Sequence, residues 1–194
     1  MRLAVVVQPP NPNGPDVAPM STRAGELRSR LILGGYRVVD LLTSPELPDQ
    51  IARVMEDVGE ADSVLMYLAC ATTLHDDAQV ALRLALGEER EVALAKVADL
   101  LKARKPKDAL LVVDAMHDGA DDDAMIAAEH ADAVIRALGG REAGLGALIG
   151  VHARAADKQE RPTWPFTRLL LDALDDPRAR DEHGAAPVSR LYAS

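Results

Sequence analysis

Apolar residues along this chain follow two alternating rhythms. Short, largely β-branched runs read as buried strands: Leu3–Val7, Tyr36–Leu42, Ser63–Leu68, Ala109–Asp114 and Ala147–Val151. Between them lie longer stretches with apolar positions three and four apart, the spacing of a helix face. The first such helix, capped by Ser21 or Thr22, carries Leu27, Leu31 and Ile32 on one side and stops at Gly34-Gly35. Pro45–Val58 repeats the spacing with Leu47, Ile51, Val54, Met55 and Val58. A helix is expected from Glu88 to Arg104, acids first and bases last, ending before Pro106. Asp121–Leu138 and Phe166–Leu174 are expected as further helices. Pro9, Pro10, Pro12, Pro15 and Pro19 make Gln8–Met20 a loop, and Thr72–Gly87 fits neither rhythm. Val188–Tyr192 reads as a last edge strand, reached through the polar connection 175–187.

Strand–helix alternation of this kind predicts an α/β fold: a mostly parallel sheet of five or six strands with helices on both faces. A length of 194 residues, with no internal repeat or interdomain linker, fits a single domain over 1–194. Hydrophobic residues make up 48%, enough for a packed core. That core must be aliphatic, because aromatic residues supply only 3%. A formal charge of −9 disfavours general binding to nucleic acid. One cysteine, Cys70, allows no intrachain disulfide and suits a reducing, cytoplasmic setting. No apolar run approaches the ~18 residues of a membrane helix, and the first is too short for a signal peptide.

Several common chemistries are missing. The loop after the first strand lacks both glycine-rich phosphate cradles, and there is no G-x-S-x-G elbow. The histidines at 75, 117, 130, 152 and 183 are scattered without metal-ligand spacing, so neither metal nor cofactor is expected. Asp118-Gly-Ala-Asp-Asp-Asp123 lacks the oxygen spacing of a calcium loop and reads as an acidic helix start. Lys102–Lys107 reads as a solvated last helix turn rather than an anion site.

In open α/β sheets, sites form at the carboxyl ends of the strands. Two such ends, Met66-Tyr-Leu-Ala-Cys-Ala71 and Val113-Asp-Ala-Met-His-Asp-Gly119, resemble those of the caspase-like cysteine peptidases, in the bacterial orthocaspase and metacaspase branch. Gly34-Gly35-Tyr36-Arg37-Val38, Asp62 and Trp164-Pro-Phe-Thr-Arg-Leu-Leu170 are similar to further family segments in the same order. The resemblance implies a caspase-like three-layer sandwich. It also implies a catalytic histidine at position 70 and a nucleophilic cysteine at position 116, where this chain has Cys70 and Met116. Ala69 and Ala71 replace the glycines that flank the histidine, while Asp114, His117 and Gly119 match the motif. A thioether has no ionisable proton and cannot attack an acyl carbon. Nor is a thiol a general base in the manner of an imidazole.

The sequence therefore points to a catalytically inactive domain, a pseudoprotease that regulates, scaffolds or holds a peptide or protein partner. That partner could itself be another caspase-like domain. On this reading Cys70 is a small buried hydrophobe and Met116 a gap filler. One alternative is a cysteine hydrolase that uses Cys70 with a rearranged partner, His117; another is a small-ligand sensor. For Asp114 two roles stay open: bonding a nearby backbone amide, or lining a ligand pocket for a basic side chain. The shortness of Val188–Tyr192 and its interruption by Arg190 suggest a monomer or weak homodimer, with no nucleic-acid or membrane partner.

Overall fold

A computed structural model describes residues 1–8, 18–60, 62–74, 80–83, 91–117, 132–136, 145–153, 165–182 and 184. The strands are β1 (Arg2–Gln8), β2 (Arg37–Leu42), β3 (Ser63–Leu74), β4 (Val80–Arg83), β5 (Glu91–Ala93), β6 (Asp108–His117) and β7 (Leu145–Ala153). The helices are α1 (Ala18–Leu33), α2 (Leu47–Val54), α3 (Leu94–Ala103) and α4 (Pro165–Asp175), with a short helical stretch at 132–136 and a 3₁₀ turn at Pro177–Ala179. Five strands are parallel, in the order β2-β1-β3-β6-β7. The expected α/β three-layer sandwich is therefore present. Among the described residues, no helix is long and apolar enough to cross a membrane.

Alternation along the strands builds two cores. One face packs Leu3, Val5, Val7, Val64, Met66, Leu68, Cys70, Leu111 and Val113 against Leu47 and Ile51 of α2 and against Leu94, Val97, Ala98 and Leu101 of α3. The other packs Ala4, Val6, Leu65, Tyr67, Ala69, Leu110 and Val112 against Ala24, Leu27 and Leu31 of α1 and Leu170 and Leu174 of α4. Side chains of period two explain why neighbours in one strand belong to different clusters. β3 and β6 contribute to both, so from Val64 to Cys70 and from Ala109 to Asp114 neither has a face left for water.

The third and fourth expected strands are direct neighbours, paired from Ser63↔Asp108 to Thr72↔His117. Both run further than the apolar runs suggested. β1 pairs with β3 only as far as Val7↔Leu68, and beyond that point β4 runs antiparallel to β3 from Ala71↔Arg83 to Leu74↔Val80. β5 completes this ribbon, with Arg83 in register with Glu91. The expected helix from Glu88 is therefore shorter, because 91–93 pair with β4 before α3 begins. The ribbon brings the described strands to seven, two beyond the five parallel ones.

Helix ends also differ from expectation. α1 begins at Ala18, so Ser21 and Thr22 lie inside it, and Pro19 sits in the first turn where a missing N–H costs nothing. Ile32 is 53% exposed, because the position after Leu31 lies about 100° around the helix from the buried stripe. α2 closes at Val54, though Met55 and Val58 still reach the core from the turn that follows. The expected strand Val188–Tyr192 and most of the helix Asp121–Leu138 lie outside the described residues.

The stop of α1 follows from glycine. Tyr36 N–H bonds the Leu31 carbonyl at 3.0 Å and Gly35 N–H bonds that of Ile32 at 3.0 Å, a Schellman closure with Gly35 at φ 83°. Tyr36 then packs in the same core as Leu31. Gly35→Ala should cost roughly 1–2 kcal/mol, since a Cβ opposes the left-handed conformation. Urea unfolding should show a lower midpoint at unchanged slope.

Candidate functional site

The carboxyl ends of β3 and β6 bring the predicted residues onto neighbouring rungs. The register runs Ala69↔Asp114, Cys70↔Ala115, Ala71↔Met116 and Thr72↔His117. Position 116 is thus one rung from position 70 along the paired strands. Position 117 is two rungs away, about 8 Å between Cα atoms for ideal parallel spacing. β7 adds a residue that the scattered histidines did not suggest: His152 is in register with Met116. Only the parallel alignment of two strands distant in sequence makes that juxtaposition visible.

Cys70 and Asp114 belong to opposite faces. Cys70 lies in the α2–α3 core, only 1% exposed. Burial pushes its thiol up to about 12, and the negative charge of nearby Asp114 adds to the effect. Both causes oppose a thiolate, so this thiol lacks the electropositive, accessible setting of a reactive cysteine.

Asp114 turns to the other face, where it is fully buried. Its Oδ2 accepts from the Thr167 amide at 2.9 Å and from the Thr167 hydroxyl at 2.7 Å. Thr167 stands in the first turn of α4, whose amides have no acceptor within the helix. The carboxylate therefore caps α4 from a distant strand and meets the positive end of the helix dipole. The single hydroxyl proton of Thr167 goes to Asp114, so the Tyr67 hydroxyl, 2.5 Å from Thr167 Oγ1, is the donor in that contact. β3, β6 and α4 are tied through one buried chain of polar groups. Asp114 thus bonds a backbone amide, one of the two roles open to it. Tyr67 and Thr167 were not anticipated, although Thr167 lies in a segment that the resemblance already marked.

Among the described residues no group of three or more His, Cys, Asp or Glu could hold a metal ion. The acidic run Asp118–Asp123 lies outside the described residues.

No protein-family model matches the chain, and no curated protein does. Among solved structures, the crystal structure of protein GSU0716 from Geobacter sulfurreducens is similar. It superposes with a TM-score of 0.52, covering 89% of this chain and 81% of that one at 13% identity. At that identity the likeness shows the fold alone.

Thr167→Val keeps the side-chain shape but removes the hydroxyl between two buried partners, and should cost about 1–3 kcal/mol in chemical denaturation. Asp114→Asn should lose a similar amount. The double variant should lose less than the sum, because both changes break one contact.

Cys70 gives a second expectation. Burial pushes the folded thiol up to about 12, above the ordinary 9.0 of an exposed thiol, so an unfolded chain releases this proton at lower pH. Stability from this residue is complete below about pH 9 and falls as pH rises toward 12. The stability difference between wild type and Cys70→Ala should therefore shrink across that window, measured by urea titration at each pH.

Proposed function

We propose that this chain is a caspase-like domain without peptidase chemistry, which acts by binding a protein or peptide partner as a regulatory or scaffolding module. One observation carries the reading: neither motif position can supply the reacting groups. Met116 has no proton to lose, and Cys70 is a thiol that burial pushes up to about 12, so it stays protonated near neutral pH. Hydrolysis of this type needs a thiolate to attack and an imidazole to take and return the proton. Support for the family reading comes from the direct pairing of β3 with β6, which brings the two resembling segments to the same carboxyl edge of the sheet. It comes also from the order of the resembling segments along the chain. A cysteine hydrolase built on Cys70 and His117 would need a thiol activated in just the setting that suppresses it.

The purified protein should not cleave peptides after Arg, Lys or Asp in a fluorogenic panel. Met116→Cys alone should remain nearly silent, since groups that act as a unit recover little when one is restored. Cleavage by the wild type that Cys70→Ser or His117→Ala abolishes would replace this reading with the hydrolase.

A further inference from the structure

The edge of the sheet where the parallel strands begin, opposite the candidate site, carries a basic turn without ion-pair partners among the described residues. Lys102, Arg104, Lys105 and Lys107 lie close together where α3 leads into β6. Arg104, Lys105 and Lys107 are exposed and Lys102 is half-buried. None forms an ion pair with a described residue. Two acids beside the turn are engaged elsewhere: Asp62 with the Met1 amino group and the Gly59 amide, Asp108 with the Ser63 hydroxyl. Asp99, one helical turn before Lys102 and exposed, makes no ion pair with these cations. Glu56, Asp57 and Glu60, in the turn after α2, make no ion pair with these cations either.

The helix dipole accounts for part of this arrangement. It favours Lys102 in the last turn of α3, but its effect fades beyond that turn, and Lys105 and Lys107 lie past it. The turn is also held in one shape. Lys105 N–H bonds the Lys102 carbonyl at 3.0 Å with Lys105 at φ 45°, and Lys107 N–H bonds the Asp62 carbonyl at 2.8 Å. Four cations are thus presented together by a chain whose formal charge is −9. An acidic segment is attracted here and repelled by most of the remaining surface, which orients it.

We infer that this turn is a docking surface for an acidic peptide segment of a partner protein, separate from whatever binds at the carboxyl edge. The test is fluorescence anisotropy of a short, labelled glutamate-rich peptide with the full chain. Binding should weaken as salt rises from about 50 to 200 mM, as screening of exposed charges requires. Lys105→Gln with Lys107→Gln, both beyond the helix, should preserve the circular-dichroism spectrum and weaken binding several-fold. Adding Lys102→Gln and Arg104→Gln should bring the loss to about tenfold or more, the scale of several exposed pairs. Glu56→Gln with Asp57→Gln should bind at least as tightly as wild type. The proposal is overturned if the wild type does not bind the peptide, or if the folded Lys105→Gln/Lys107→Gln variant binds it equally. It is also overturned if an oligonucleotide of matched charge binds more tightly, which would assign the turn to a phosphate backbone.

Discussion

Parallel pairing of β3 with β6 leaves two adjacent strands with helices on both faces, and most of the structure follows from covering them. Every side chain from Val64 to Cys70 and from Ala109 to Asp114 is nearly withdrawn from water. Such strands cannot alternate polar with apolar residues, so their sequences read as continuous apolar runs. Period-two alternation then sends odd and even positions into separate cores, and α1 with α4, and α2 with α3, close one face each. Fully buried Leu or Val positions here each contribute roughly 1.5–3 kcal/mol, an upper estimate relative to a compact unfolded chain. A charged residue in this pair of strands needs a built-in partner.

Asp114 meets that requirement through α4. A buried carboxylate without hydrogen bonds would be expensive, whereas Thr167 supplies an amide and a hydroxyl at the end of a helix dipole. The exchange is mutual, because the first turn of α4 gains an acceptor it cannot find within itself. Tyr67, one of the few aromatic residues, extends the chain of bonds from the neighbouring strand. One rung on and facing the other way, Cys70 has no such compensation and simply stays protonated. Two groups on neighbouring rungs thus face opposite sides of the sheet, an acid engaged by hydrogen bonds and a thiol that burial keeps from ionising.

The strands and most helices were legible because burial on one face imposes a period, and that period survives in the sequence. Leu27 with Leu31 and Leu47 with Ile51 fall where the spacing puts them. Ile32 misled because an apolar side chain beside a stripe looks much like one within it. The β4–β5 ribbon was illegible for a different reason. Its pairing exists only because β1 ends at Gln8 and leaves one edge of β3 open beyond Leu68, which no local pattern encodes.

What the sequence by itself determined is the α/β layering and the absence of an ionisable group at Met116, since each depends on residue type or local period, while the adjacency of the two central strands followed from the helical crossover between them. Tertiary structure alone decided which acid caps which helix, which face each motif residue occupies and how strongly Cys70 resists ionisation. Those outcomes depend on register and desolvation. Asp114 meets Thr167 across 53 residues of chain, and nothing in either segment's own sequence specifies the other.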